Sequence, residues 1–200
     1  MIATEIALSE VEYLALTEYA QSNCLSENLM AKKYLKAILE ENYHEIEFFE
    51  CLGDSVRHRV MNAYAFHRQL LFGYDKIELN HYGWLVRPEF QVERISLKTS
   101  ADNNNYSYFE LAKGANGKWA WAPHLSFGSA GHGWKVGIYD TPYDTRDEAL
   151  NAALTFVKQS FDNAEVESKS DSSNYNPTII KLVKRLIEQI EVNRVQLFLF

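Results

Sequence analysis

Two histidines, His124 and His132, bracket the run Leu-Ser-Phe-Gly-Ser-Ala-Gly, and a hairpin closing on that run would bring their imidazoles together as metal ligands. Asp140 or Asp144 could complete the set, since zinc takes imidazole nitrogen and carboxylate oxygen in tetrahedral sites. Their spacing of eight is not a tight zinc signature, so the competing reading is a long hairpin with two solvated histidines. Ser126 and Ser129 lie in the same run without the Gly-x-Ser-x-Gly elbow of a hydrolase nucleophile. The glycines could turn backbone N–H groups toward an anion, but a phosphate cradle leads into a helix and Trp134 opens a strand-like run. Glu89, Glu93 and Glu110 fall on strand-like segments, where a carboxylate pair could do acid–base work and a solvated face gives the same pattern. No cofactor is expected.

Binding chemistry is better supplied. Trp84, Trp119, Trp121 and Trp134 are large aromatic anchors, and period-two geometry puts Trp119 and Trp121 on one face of a strand. That face is either core or a stacking platform for bases or a protein partner. Arg57, Arg59 and Arg68, with His58, fall on one predicted helix, where Arg57 and Arg68 are three turns apart and could track phosphates. Arg87 follows Trp84 closely and joins this set. A solvated helix face is the competing reading for the arginines. Glu10, Glu12, Glu18, Glu40, Glu41, Glu45, Glu47 and Glu50 could mimic a nucleic-acid backbone, although acidic helices commonly serve solubility.

The elements that position these residues are legible from periodicity and caps. Ser9 with Glu12 makes a capping box opening a helix that ends near Asn23. Ser26 can cap a second helix with the stripe Leu29, Met30, Tyr34, Ala37 and Ile38. Glu45 to Glu50 fits a short strand by its length and a helical continuation by its Glu content, and is read as helix. After Gly53-Asp54-Ser55, the spacing of Val56, Val60, Ala63, Tyr64, His67, Leu70 and Leu71 predicts a helix stopped by Gly73. Residues 82–87, 89–98, 106–112, 118–125 and 134–139 are short aromatic or β-branched runs separated by turn residues, and predict five strands. Links this short require antiparallel pairing. Thr145 and Glu148 make a second capping box, and Asn176-Pro177 opens a last helix with the stripe Ile180, Val183, Ile187 and Ile190. The polar, serine-rich segment 162–176 reads as a flexible linker.

The expected fold is therefore α+β: N-terminal helices, a five-stranded antiparallel meander, a packing helix and a tethered C-terminal helix. Its divisions are an acidic helical segment at 1–52, a helix–sheet–helix core at 53–161, the linker at 162–176 and the last helix at 177–200. The formal charge of −7 lies entirely within residues 1–50, which excludes a strongly basic nucleic-acid footprint. Cys24 and Cys51 fit no metal knuckle or disulfide framework, and no apolar run reaches membrane-spanning length. The N-terminus lacks the basic start of a secretion signal, so a cytoplasmic location is expected, with no membrane association.

One stretch carries a resemblance. Ile95-Ser96-Leu97, Gly117-Lys118-Trp119-Ala120-Trp121-Ala122, the Gly/Ser loop and Pro142-Tyr143-Asp144-Thr145-Arg146-Asp147-Glu148-Ala149-Leu150 form a pattern over residues 95–157. It resembles a small strand-meander-plus-helix module of uncharacterised proteins from bacterial phages, plasmids and integrated elements. The resemblance implies a mobile-element setting and supplies no catalytic motif.

These features predict a non-enzymatic binding protein of a mobile genetic element, engaging a protein or a nucleic acid through an exposed sheet face or the charged helices. Any nucleic-acid binding is expected to be weak and salt-dependent. The rival is a small metal-dependent enzyme centred on the Gly128–Gly133 loop, with His124 and His132 as ligands. The apolar stripe of the last helix, continued by Leu197 to Phe200, needs a groove either on its own chain or on a second copy, and the second case is a homodimer by exchange of that helix.

Overall fold

A computed structural model describes residues 8–97 and 106–197, without the side chains of 25–27 and 192–197. The chain forms two compact units, Met1–Pro88 and Glu89–Phe200.

The first unit is helical: α1 (Glu10–Gln21), α2 (Leu25–Leu39), α3 (Tyr43–Glu50) and α4 (Val56–Leu70). The Ser9 hydroxyl accepts from the Glu12 N–H while the Glu12 carboxylate accepts from the Ser9 N–H, the reciprocal cap read from the sequence. Asn42 caps α3 by accepting from the Glu45 N–H, and Ser55 caps α4 by accepting from the His58 N–H. Ser26 is not a cap, because α2 begins one residue earlier, at Leu25. Leu16, Tyr34, Phe49, Leu52, Val56 and Val60 form the core, with Tyr34 stacked on Phe49 at 4.4 Å between centroids. Their burial joins α4 to the acidic helices, so a boundary after residue 52 does not separate them.

The run 82–87, expected as a strand, is a tight loop instead. The Asn80 side-chain oxygen accepts from the N–H groups of Tyr82 and Trp84, and Gly83 takes a φ of 81° that a strand does not use. A single bridge, Leu79 to Leu85, is all that remains of sheet pairing there. The loop is pinned to α4 by Asn62, which donates to the carbonyls of Leu52 and Gly83 and accepts from the Leu85 N–H.

The second unit holds one antiparallel sheet in the order β1 (Gln91–Ser96), β2 (Tyr108–Lys113), β3 (Trp119–Ser126) and β4 (Gly131–Gly133). Four strands replace the expected five, and the last is displaced. Residues 131–133 inside the Gly-rich loop pair with 124–126, whereas 134–139 leave the ladder after Trp134 donates its N–H to the Pro123 carbonyl. The Asp140 carboxylate then accepts from the Gly137 N–H and the Trp134 indole, closing a turn where a strand would need extended backbone. Lys98 and the turn at 102–105 lie outside the described residues.

Alternation gives the sheet two faces. On the first, Phe109, Leu111 and Leu125 pack under α5 (Arg146–Glu167), which opens with the Thr145–Glu148 capping box. Beside α5 runs α6 (Pro177–Leu197), started by Asn176, whose side chain accepts from the N–H groups of Thr178 and Ile179. Composition predicted a flexible linker over 162–176. Here Phe161 and Ala164 carry the buried stripe of α5 onward to Glu167, and the rest is tied to the sheet. Asn176 donates its N–H to the Phe127 carbonyl, Ala130 donates to that of Asn174, and Tyr175 bridges Gly128. The stripe Ile180, Val183 and Ile187 is buried in the same core, so the last helix finds its groove on its own chain and needs no second copy to cover it. The side chains of Leu197 to Phe200 lie outside the described residues.

Candidate binding site

The second face of the sheet carries the side chains of Val92, Arg94, Tyr108, Glu110, Ala112, Ala120, Ala122 and His124, as the registers Arg94↔Glu110, Tyr108↔His124 and Glu110↔Ala122 require. Ala112, Ala120 and Ala122 are fully buried on this face, and a hollow opens beside them. That hollow has a volume of about 710 Å³ and is lined by Val92, Arg94, Tyr108, Glu110, His124, Lys135 and Val136.

Its chemistry is set by a cross-strand cluster. Glu110 is 8% exposed, and its Oε1 accepts from Arg94 Nη2 at 2.9 Å. Its Oε2 is 3.9 Å from His124 Nε2, too long for a hydrogen bond. The Arg94 guanidinium lies 4.1 Å over the Tyr108 ring, and the His124 ring stacks at 4.4 Å from Tyr108. Arg94, Tyr108 and His124 thus form one stack across three strands, with Glu110 beside it. The bond to Glu110 raises the pKa of Arg94 further, keeping it charged. Arg94 remains 59% exposed and Lys135 has no ion-pair partner among the described residues, so two cations rim a floor whose single carboxylate is already engaged.

The metal pair expected from sequence does not form. His132 pairs with Leu125 and His124 with Gly133, so adjacent positions of β3 send the two imidazoles to opposite faces. His132 packs against Phe127 and Phe156 on the helix side. Among the described residues no group of three or more His, Cys, Asp or Glu could hold a metal ion.

Trp119 and Trp121 share a face, as expected, and it is the helix-covered one, where both are half-buried against the core. Trp121 meets Phe156 at 5.2 Å and Trp134 at 6.2 Å. Trp134 is 41% exposed and anchored through its indole N–H to Asp140. The remaining candidates belong to the helical unit. Arg59 is no phosphate contact: its guanidinium donates to the Gly53 carbonyl at 3.0 Å and meets Glu12 and Tyr34, leaving its side chain 14% exposed. Arg57 is exposed and lies 5.8 Å over the Trp84 ring, while Arg68 is half-buried further along α4. Arg87 borders a separate small hollow with Gln69, Tyr74 and Val86.

Sequence reasoning named Glu110 and His124 for other chemistry and missed Arg94, Tyr108 and Lys135. The signal was the period-two phase of each strand, which becomes a site only once the register between strands is known. No helix among the described residues is long and apolar enough to cross a membrane. Comparison of the chain with protein-family models, curated proteins and solved structures found no match.

Proposed function

We propose that this is a non-enzymatic binding protein whose partner is another protein, held at the hollow on the second face of the sheet. The observation that carries this reading is the pair of cations, Arg94 and Lys135, over a buried carboxylate that Arg94 has already neutralised. An acidic side chain on a partner fits the cations, and an apolar neighbour fits Val92 and Val136. A nucleic acid fits less well. Both faces of the Tyr108 ring are occupied, by Arg94 and His124, so that ring offers no platform for a base. Two cations in a chain of net charge −7 also make a weak counter-charge for a phosphate backbone. The resemblance of residues 95–157 supports a mobile genetic element as the setting.

Affinity capture from cells, comparing wild type with an Arg94→Glu, Lys135→Glu double variant, tests the reading. The expected result is a protein retained by wild type and lost from a folded double variant. Equal retention by both, or capture of single-stranded nucleic acid that survives moderate salt, would point elsewhere.

A further inference from the structure

Resting on that reading, we infer that the partner is an acidic segment in extended conformation that adds a strand to the edge of β1 at Val92 and Arg94. Among the described residues β1 pairs with β2 alone, so it is an edge strand of the sheet. Leu97 donates its N–H to the Ser107 carbonyl, one step beyond the Ser96↔Tyr108 pair, which fixes the phase of the ladder. Antiparallel pairing alternates inward and outward backbone groups, so the N–H and C=O of Val92 and Arg94 point away from β2. Those same two residues send their side chains into the hollow. A docking strand would thus bond to the backbone of Val92 and Arg94, and its residue opposite Arg94 would place its side chain on the hollow's face.

Charge selects the occupant. An acidic residue opposite Arg94 meets a guanidinium with donors to spare beyond its single bond to Glu110. A second copy of the chain is disfavoured, because the two face-preserving registers that pair most of β1 set Glu93 against Glu93 or Arg94 against Arg94. Proline and bulges, two of the devices that blunt an edge, are absent from the six residues of β1, whose charged residues are Glu93 and Arg94.

The test uses the full chain and an acetylated, amidated heptapeptide alternating glutamate with valine, with a lysine–valine peptide as control. Amide hydrogen exchange is read residue by residue. The acidic peptide is expected to slow exchange at Val92 and Arg94, and the lysine peptide to leave them fast. Val92→Pro removes one outward N–H without breaking the β1–β2 ladder, since proline is tolerated at such edge positions. It is expected to keep the circular dichroism of wild type and weaken peptide binding about fivefold to tenfold. Val92→Thr, which keeps the N–H, is expected to bind more tightly than Val92→Pro, the difference measuring the lost outward hydrogen bond. Peptide binding that Lys135→Glu abolishes but Val92→Pro leaves intact would overturn the edge pairing while sparing the sheet-face reading. Unmoved amides at about 2 mM peptide, beyond even weak millimolar affinity, would overturn it as well, and the cellular capture would then judge the broader reading alone.

Discussion

Arg59 in the helical unit and Arg94 on the sheet each meet a glutamate, yet they end in opposite conditions. Arg59 is folded inward on two carbonyls, a carboxylate and a phenol, so its donors are consumed by the chain itself. Arg94 gives one hydrogen bond to Glu110, lies flat on Tyr108 and keeps most of its surface in solvent. Asn62 repeats the first condition, with three bonds to loop backbone, all inside one unit. The helical unit uses polar side chains as internal pins, and the sheet uses them to furnish a surface. A cation therefore counts toward binding only after its internal bonds are subtracted, a distinction that formal charge does not make.

That contrast can be broken at several strengths. Asn62→Ala carries the largest expected effect: it strips partners from two backbone carbonyls and an N–H in a buried setting, and should cost about 3 kcal/mol in urea denaturation. A loss below about 1 kcal/mol would mean that the pinning is dispensable.

Trp121→Ala should cost about 2 to 3 kcal/mol, less than a fully enclosed tryptophan, because its ring is only half-buried beneath α5 and beside Phe156. A cost below about 1 kcal/mol would make the helix side of the sheet, rather than the hollow, the open surface.

The arginines themselves give a smaller, paired effect. Arg59→Ala should lower stability by about 2 kcal/mol and leave partner capture unchanged. Arg94→Ala leaves the buried Glu110 carboxylate without its hydrogen bond, so it should cost about 1 to 3 kcal/mol and abolish capture. Reversed outcomes would break the comparison.

The smallest effect is in acid. Hydrogen bonds from the Ser9 side chain and backbone, with the Arg59 charge behind them, hold the Glu12 carboxyl below its ordinary range, and the bond from Arg146 does the same for Glu93. Both carboxyls titrate lower folded than unfolded, so the stability they add is complete above the unfolded value of about 4.3 and disappears as pH falls through the lower folded values. Urea midpoints followed down to about pH 3 should fall less steeply in a Glu12→Gln, Glu93→Gln variant than in wild type. Parallel slopes would deny both pairs a role.

Much of the frame was readable because its signals are local. The capping boxes at Ser9 and Thr145, the Asn176-Pro177 start and the stripe of α4 each depend on residues three or four apart, which the sequence displays directly. The sheet was readable as antiparallel but not in its strand count. Tyr82 to Arg87 and Trp134 to Tyr139 have strand composition, yet Asn80 and Asp140 capture backbone N–H groups and turn each segment aside. The segment after Asp162 looked too polar to order, yet its backbone is held by bonds to Phe127 and Ala130, which composition does not report. The hollow was illegible for the same reason of distance. Arg94, Glu110 and His124 come from three strands, and only the register joins them. Arg59 was misread as a surface cation because its partners, Glu12 and Tyr34, are remote in sequence.

The most direct test sets one exposed cation of each unit against the other. Binding of the acidic heptapeptide to the full chain is measured by fluorescence anisotropy for wild type, Lys135→Glu and Arg57→Glu. The account predicts a loss of about tenfold or more in Lys135→Glu, where the charge beside the hollow is reversed, and an unchanged affinity in Arg57→Glu. An undiminished affinity in Lys135→Glu together with a loss in Arg57→Glu would place the binding surface on the helical unit and contradict the account.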